Sequence, residues 1–292
     1  MADVTNVYHQ RPYPALNPEQ FDFSGKTILV SGISSIIGQA IARSFLAAHA
    51  AHIVCVNRNP EKLEKATQAL KKSSPATTSK LSTQLCDIAD PASVEDLWNR
   101  LDSGSVLVDV LVLLAADFPR GPIFPDQGLE HAQRAFNVNI IGNLRMVEGF
   151  AARNTGGSRA LINIASAGSH ISGLPGLGLY HASKLGFASL LQQLAAERKP
   201  EEIQIISVHP GAIFTEAAAE TGFTKDSFPW DDASPHARFL HGRFVWSNWD
   251  VEELTKMKPR FEEDPGFLAL GLQGIPTVEM AKVFPRIIEK TS

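Results

Sequence analysis

Short apolar segments of strand length alternate with helical segments over most of the chain. The segment at 108–115 is apolar throughout, which is typical of a strand in a parallel sheet that helices cover on both faces. The predicted strands span residues 26–31, 52–56, 81–86, 108–115, 160–165, 202–208 and 242–247. This alternation predicts an α/β protein with a single doubly wound parallel sheet and helices on both faces.

The composition limits the class of function. The chain has 292 residues, of which 44% are apolar, and this is enough for a sizeable core. Its net charge is −4 and its pI is about 6.1, so we expect no nucleic acid partner. The two cysteines, Cys55 and Cys86, end predicted strands without metal-ligand spacing. We therefore expect buried, reduced thiols and no metal site.

A glycine turn joins the first predicted strand to the helix at 38–49. The turn reads G-I-S-S-I-I-G from Gly32 to Gly38. A strand, a glycine turn and a helix together open a typical dinucleotide-binding unit. Backbone amides of the turn and the N-terminus of the helix would hold a pyrophosphate.

A strand, a loop and a helix between residues 159 and 198 bring three reactive side chains together. The apolar segment 160–165 ends at Ser166, and Tyr180 and Lys184 follow on the helix. Because these two residues are four apart, they share a face of that helix. A nearby ammonium favours a phenolate, so we expect Lys184 to lower the pKa of Tyr180. Ser166 could then hold a substrate carbonyl oxygen while Tyr180 transfers a proton to it.

This segment resembles the active-site segment of the short-chain dehydrogenase/reductase family, whose signature is a serine at a strand end and then Y-x-x-x-K. The run N-I-A-S-A-G puts Ser166 at the serine position, although its distance to Tyr180 is one residue longer than the commonest family spacing. The resemblance extends from about Gly25 to Asn248 and implies a Rossmann fold.

The resemblance also implies a proton relay of Asn139, Ser166, Tyr180 and Lys184. Asn139, in F-N-V-N-I-I-G, matches an asparagine that kinks the helix at 129–153 and holds a water near the lysine. An asparagine inside a helix can interrupt the backbone pairing locally, which agrees with such a kink. Lys184 would both tune Tyr180 and bind the cofactor ribose.

The resemblance further implies a nicotinamide cofactor. No acidic residue follows the strand at 52–56, whereas Arg58 resembles the basic residue that accepts the 2′-phosphate of NADP. Asp87 and Ile88 match the pair that contacts adenine, and Thr215 matches the threonine of P-G-x-x-x-T at the carboxamide. The implied cofactor residues are Gly32, Ser34, Ser35, Ile37, Arg58, Asp87, Ile88, Ala115, Lys184, Ile213 and Thr215.

Two cofactor motifs depart from the family pattern. Ile36 replaces the middle glycine of T-G-x-x-x-G-x-G, and its branched side chain could occupy the space of the phosphates. The alternative is that the loop shifts slightly and Ile36 points into the core. Leu114 replaces an asparagine that normally ties neighbouring strands together.

Three functions agree with these features. The first is an NADP(H)-dependent reductase or dehydrogenase for a bulky, largely apolar metabolite, because Phe214, Phe223, Phe228 and Trp230 are candidates for the pocket. The chain looks most like fungal members of the family, many of which modify secondary metabolites. The second is a non-redox isomerase, dehydratase or cyclase of the same fold, with Tyr180 as acid or base. The third is a binding protein without catalysis.

The organisation of the chain follows from these assignments. Residues 1–24 are expected to form a surface arm or to be disordered, and residues 25–292 to form one Rossmann-fold catalytic domain. A substrate loop is expected at about 216–241 and a tail at 249–292, near the mouth of the pocket. No segment has the length of a membrane span and no signal peptide is evident, so we expect a cytoplasmic protein.

The helices that carry Asn139 and Tyr180 form the usual dimer face in the family. The second of them shows Phe187, Leu190 and Leu194 beyond the apolar stripe that one core-facing side needs. We therefore expect a homodimer formed by symmetric pairing of these helices.

Overall fold

The computed structural model describes residues 4–153, 157–171, 175–215, 219, 240–264 and 266–271. Almost all of the predicted substrate loop lies outside these residues, and so do Phe223, Phe228 and Trp230. Residues 272–292 of the predicted tail also lie outside them.

A parallel sheet of seven strands organises the described part of the chain, and it confirms the predicted fold class. The strand order is β3-β2-β1-β4-β5-β6-β7, and every neighbouring pair is parallel. Because the order reverses between β1 and β4, the carboxyl ends of these strands border the crevice where doubly wound sheets bind ligands. The strands are β1 Thr27–Ser31, β2 His52–Asn57, β3 Lys80–Leu85, β4 Val110–Leu113, β5 Arg159–Ile164, β6 Ile203–His209 and β7 Arg243–Trp246.

Helices connect the strands, and several of them begin at residues whose side chains cap them. The Asn59 side chain accepts a hydrogen bond from the N–H of Lys62 at 2.8 Å, and Pro60 follows at the first helical position. The α-helices are α1 Ile36–Ala47, α2 Pro60–Ser73, α3 Pro91–Ser103, α4 Gly128–Phe136, α5 Asn143–Ala151, α6 Gly178–Glu197, α7 Val251–Lys256 and α8 Lys258–Glu263. Short 3-10 turns span Pro14–Leu16, Pro18–Gln20 and Ala167–Ser169, and π-helical turns span Ile123–Gln127 and Asn137–Gly142.

The core lies on both faces of the sheet. On one face, Leu29 and Leu161 pack with Trp98, Phe150 and Phe187 from α3, α5 and α6. On the other face, strand residues pack against α1 and α2; the members include Ile28, Val30, Ile53, Phe45 and Leu70. Burying one such side chain contributes about 1.5–3 kcal/mol. Alternate residues of β1 therefore stabilise opposite layers, which explains why its three central residues are all apolar.

The two cysteines lie in these two core layers. Cys55 and Cys86 are buried and unbridged. Burial raises the pKa of the Cys55 thiol to about 11 and also raises that of Cys86. Both thiols are therefore neutral near pH 7, and their burial is as the sequence predicts. Among the described residues, no cluster of His, Cys, Asp or Glu could hold a metal ion, and no helix could cross a bilayer.

The N-terminal arm is ordered against the segment that follows β7. Tyr8 forms an antiparallel bridge with Trp249, and the N–H of His9 donates to the carbonyl of Asn248 at 2.7 Å. The His9 imidazole Nε2 lies 2.8 Å from a carboxylate oxygen of Asp250. The arm therefore packs against the segment that follows β7.

The described part of the C-terminal tail packs on the sheet. Phe261 and Phe267 lie in an apolar cluster with Val208 and Val245 of β6 and β7. The guanidinium of Arg243 donates to the carbonyls of Phe267 and Phe261 at 2.8 and 3.1 Å. These contacts hold α8 against the last strand.

Candidate active site

The turn after β1 and the end of β4 meet at the carboxyl edge of the sheet. Gly32 has a φ of +70°, and a Cβ added to it would lie 2.9 Å from the backbone nitrogen of Ala115. Both the backbone angle and the close contact therefore require glycine. Gly32, Asp87, Ala115 and Ser166 each follow the end of a strand, so this edge collects the residues predicted for the cofactor and for catalysis.

Ser31 supplies a connection that the sequence analysis missed. Its hydroxyl donates to the carbonyl of Val112 at 3.2 Å and accepts from the N–H groups of Leu114 and Ala115 at 3.1 and 3.3 Å. Leu114 replaces the family asparagine, but β1 and β4 are still joined by a side chain, that of Ser31 on β1. The serine immediately before Gly32 is the sequence feature from which this connection could have been predicted.

The N-terminus of α1 is built as a candidate anion site. Ser35 caps the helix, because its hydroxyl oxygen accepts from the N–H of Gly38 at 3.0 Å. The backbone N–H groups of Ile36 and Ile37 have no protein acceptor among the described residues. Such unpaired N–H groups and the helix dipole favour an anion.

Ile36 does not point into the core. Its side chain is 54% exposed at the first position of α1. The alternative, in which the loop shifts slightly and Ile36 points into the core, is therefore wrong. The apolar positions of α1 that face the sheet are Ile41, Ala42 and Phe45, and Ile36 lies before the first turn of that stripe.

Arg58 follows β2 and is exposed. Within the described ranges no carboxylate forms an ion pair with it. The Asn57 side chain donates to the hydroxyl of Ser34 at 2.7 Å, which joins the end of β2 to the glycine turn. Ser34 and Arg58 therefore lie on adjacent strand ends, beside the N-terminus of α1.

The adenine-side pair divides between surface and core. Asp87 is half-buried, and its carboxylate accepts from the N–H of Ala89 at 3.0 Å. The Ile88 side chain is 4% exposed and packs in the core with Trp98 and Val138. Only the backbone of Ile88 is therefore left for a ligand at this edge.

The side chains of Ser166 and Tyr180 interact at the carboxyl end of β5. Ser166 follows β5 and caps the 3-10 turn Ala167–Ser169, where its hydroxyl accepts from the N–H of Gly168 at 3.2 Å. Ser166 is the side chain whose interaction with the phenol lowers the pKa of Tyr180. Burial raises the pKa of Tyr180 to about 12, and the Ser166 interaction lowers it only in part. Tyr180 is therefore a neutral phenol near pH 7.

Lys184 is engaged elsewhere than expected. Its ammonium donates to the carbonyl of Ile164 at 2.6 Å, and the residue is only 5% exposed. Burial lowers the pKa of Lys184 to about 8. The expectation of a lowered pKa for Tyr180 is wrong, because desolvation of the phenol outweighs the effects that oppose it.

Asn139 occupies the π-helical turn Asn137–Gly142 and connects two parts of the site. Its side-chain oxygen accepts from the N–H of Asp117 at 2.7 Å, and its amide donates to the Asp117 carbonyl and the Ser183 hydroxyl, both at 2.8 Å. Ser183 in turn donates to the carbonyl of Tyr180 at 2.8 Å. Asn139 therefore fixes the helical turn of Tyr180 relative to the loop after β4.

Phe118 contacts Tyr180 and was not identified from the sequence. The two rings meet edge to face with centroids 4.4 Å apart. Phe118 is in the irregular loop after β4, where no periodicity indicates which side chain turns inward. Phe214 and the predicted carboxamide residues Ile213 and Thr215 follow β6, and all three are half-buried.

The chain is similar to known proteins over most of its length. The family model for the short chain dehydrogenase matches residues 26–226. A short chain dehydrogenase/reductase of Aspergillus aculeatus is 34% identical over 280 residues, which cover 92% of this chain and 96% of that protein. A short chain dehydrogenase/reductase of Aspergillus novofumigatus is 32% identical, with 92% and 96% covered. A blue fluorescent protein from a metagenomic library, solved in complex with NADPH, has a TM-score of 0.66 at 25% identity and covers 78% of this chain and 99% of its own.

Proposed function

The chain belongs to the short-chain dehydrogenase/reductase family and is an oxidoreductase, and from this premise we propose that it is an NADP(H)-dependent reductase or dehydrogenase. Its substrate is the carbonyl or alcohol group of a bulky, largely apolar metabolite, within secondary metabolism. The observation that carries the proposal is the interaction of Ser166 with the Tyr180 phenol at the carboxyl end of β5. This pair shares a sheet edge with the capped N-terminus of α1.

The residues at this edge fit a dinucleotide phosphate group. The unpaired N–H groups of Ile36 and Ile37 are hydrogen-bond donors for a pyrophosphate. The exposed guanidinium of Arg58 and the hydroxyl of Ser34 suit a 2′-phosphate, because both can donate to its oxygens. These donors support NADP(H) over NAD(H), since no carboxylate follows β2 to hold an unmodified ribose.

The proton step belongs to Tyr180. When bound, NADP(H) supplies or accepts the hydride at the substrate carbon. In the reductive direction Tyr180 donates its phenolic proton to the carbonyl oxygen, which becomes the alcohol hydroxyl, while the Ser166 hydroxyl holds that oxygen. Lys184 keeps most of its charge at neutral pH, because its pKa of about 8 lies above 7. That charge, one helical turn from Tyr180, favours the phenolate left after the transfer.

The described surroundings of Tyr180 support an apolar substrate. Phe118 contacts the phenol ring edge to face. Ile171 and Phe214 are half-buried in the loops after β5 and β6, and we propose them as further walls of the pocket. Aromatic and aliphatic walls exclude water from a reacting carbonyl and stabilise apolar ligands by burial.

The assembly proposed is a homodimer formed through α4, α5 and α6. Phe136, Ile141, Leu185 and Leu190 are each about 40% exposed on these helices, at 39%, 42%, 40% and 43%. Phe187 is 1% exposed and belongs to the core, so its expected place on the dimer face is wrong. The position of Phe187 on α6 faces the sheet, whereas Leu185 and Leu190 face outward.

A non-redox reaction at the same site is the second candidate function. Ile36 at the phosphate position favours it, since an exposed branched side chain stands where the family has glycine. Tyr180 and Ser166 would then polarise an enolisable carbonyl without hydride transfer.

Titration of the purified protein with NADPH, NADP⁺ and NADH separates the two functions. We expect saturable binding, with the NADP forms tighter than NADH. Absence of binding by any dinucleotide at millimolar concentration would contradict the redox function and favour the second candidate.

A further inference from the structure

Where the backbone pairing between β5 and β6 ends, a histidine side chain replaces the backbone carbonyl as hydrogen-bond acceptor. The N–H of Ala165 donates to the carbonyl of Val208 at 2.8 Å, as in a regular parallel ladder. The next N–H on that side, from Ala167, donates instead to the imidazole Nδ1 of His209 at 3.1 Å. His209 is the last residue of β6. Its side chain therefore fixes the backbone N–H of Ala167, the first residue after Ser166.

The bond from Ala167 fixes the state of this imidazole. Nδ1 accepts a hydrogen bond only when it carries no hydrogen, so the ring is neutral with its proton on Nε2. Burial lowers the pKa of His209 to about 3, and His170 is the ionisable neighbour whose charge lowers it further. From β7, the uncharged Trp246 packs edge to face on the ring with centroids 4.8 Å apart.

The other end of the same turn is held by a second histidine. The N–H of His170 donates to the carbonyl of Ala167 at 3.0 Å, which closes the 3-10 turn. The imidazole Nε2 of His170 accepts from the indole N–H of Trp246 at 2.8 Å. The turn that carries Ser166 at its start is thus attached to β6 through His209 and to β7 through His170.

We propose that His209 is a positioning residue for the reaction, because its Nδ1 holds the Ala167 amide and so keeps the Ser166 hydroxyl in hydrogen-bonding distance of Tyr180. The inference rests on the proposed function, in which Ser166 holds the substrate oxygen. His209 itself touches neither of the two reacting hydroxyls in the contacts described. Its effect passes through one backbone amide, from a residue next to Ser166.

Two substitutions separate the acceptor from the ring. In His209→Asn the side-chain oxygen can occupy the place of Nδ1 and accept from Ala167, and it does not ionise. In His209→Leu the bulk is kept and the acceptor is lost. The matched control is His241, whose Nδ1 accepts from the N–H of Ile205 at 3.0 Å, within β6 and away from Ser166. His241→Leu removes a bond of the same kind at that second place.

The first measurement is amide hydrogen exchange in ¹⁵N-labelled protein, which needs neither cofactor nor substrate. We expect exchange at Ala167 to be about tenfold faster in His209→Leu, as loss of one buried hydrogen bond implies, and to return towards the wild-type rate in His209→Asn. His241→Leu should accelerate Ile205 and leave Ala167 unchanged. Unchanged exchange at Ala167 in His209→Leu would overturn the inference.

The second measurement is NADPH-dependent reduction of phenanthrenequinone, a bulky apolar diketone. We expect turnover to fall by about 10²-fold in His209→Leu with NADPH affinity unchanged, because a small displacement of a catalytic group has this effect. His209→Asn should retain turnover, because its side-chain oxygen can still accept from the N–H of Ala167. Equal impairment of both variants would overturn the inference. A wild type that neither binds NADPH nor reduces the diketone would instead count against the proposed function, and the exchange result would still decide the role of His209.

Discussion

Lys184 donates a 2.6 Å hydrogen bond from its ammonium to the backbone carbonyl of Ile164, the last residue of β5. This bond attaches α6 to the strand that delivers Ser166. It also keeps a nearly buried positive charge one helical turn from Tyr180. The ammonium is therefore partly compensated by a carbonyl and by no carboxylate in the contacts described, and this explains why the pKa of Lys184 is lowered.

We expect Lys184→Met to abolish turnover with little change in the free energy of unfolding at pH 7. Burying the ammonium costs about 3 kcal/mol, judged from a pKa of about 8 in place of 10.5, and the unpaired Ile164 carbonyl of the variant costs about 1–3 kcal/mol. The two effects oppose each other. Urea unfolding measures the result, with the exposed Lys199→Met as the control.

The pH dependence of the free energy of unfolding, compared between the wild type and Lys184→Met, provides a separate check. The folded pKa of Lys184 lies below the unfolded value, so the unfolded chain binds more protons between about pH 8 and 10.5. The wild type should gain stability as the pH rises through this range, relative to Lys184→Met. Parallel curves for the two proteins would contradict the buried, charged lysine.

Tyr180→Phe should lower turnover by roughly 10²–10⁴-fold while NADPH still binds, because the variant loses the proton donor and keeps the ring. Steady-state kinetics and a binding titration measure the two parts. Tyr8→Phe, in the N-terminal arm, is the control and should behave as the wild type. Retained turnover in Tyr180→Phe would assign the proton step to another group.

Arg58→Ala should weaken NADP(H) binding by about 1.5–3 kcal/mol and leave NAD(H) binding nearly unchanged, because only the former has a 2′-phosphate for the guanidinium. Calorimetric titration with both cofactors gives the comparison. Lys65→Ala removes an exposed charge from α2 and serves as the control. Equal losses for both cofactors would contradict a 2′-phosphate site.

Ile36→Gly should tighten dinucleotide binding, because it removes a 54% exposed branched side chain from the N-terminus of α1. The cost in helix stability is at most about 1 kcal/mol. Ile36→Leu keeps the bulk and should bind as the wild type does. In a non-redox enzyme, Ile36→Gly would leave the native reaction unchanged while Tyr180→Phe would still damage it.

The dimer is tested at Leu190, which is 43% exposed on α6. We expect a dimer in sedimentation at micromolar concentration and a monomer for Leu190→Glu, because a buried unpaired carboxylate opposes association. Leu107→Glu places the same charge at an equally exposed residue, 47% accessible, in the loop after α3. A monomeric wild type would contradict the proposed pairing.

The sequence predicts the strands and the grouping of the reactive residues well, because both depend on local patterns. Strand-length segments predict β1 to β7, most of them mainly apolar and β3 largely polar. Parallel connections bring the turn at Gly32 and the end of β5 to one edge. The direction of the Tyr180 pKa shift could not be predicted. It depends on how deeply tertiary packing buries the phenol against Phe118 and the helix.

The bonds of Ser31 and His209 could not be predicted for a related reason. Each is made by a side chain to the backbone of a neighbouring strand, so it depends on the register between segments far apart in the chain. Ile36 shows the opposite case, where the sequence indicates the unusual residue and leaves its direction open. Capping by Ser35 sets the start of α1 and thereby turns Ile36 outward.

The contacts of the N-terminal arm have a consequence for biosynthesis. His9 is made well before its partner Asp250, which lies 241 residues later in the chain. During translation the arm leaves the ribosome long before the segment after β7 exists, and domains fold as their segments emerge. The strands up to β6 can therefore pair before the segment that binds the arm has been synthesised. Docking of the arm then marks the completion of the chain through Asp250, and a nascent chain halted before that point should expose the arm to proteases.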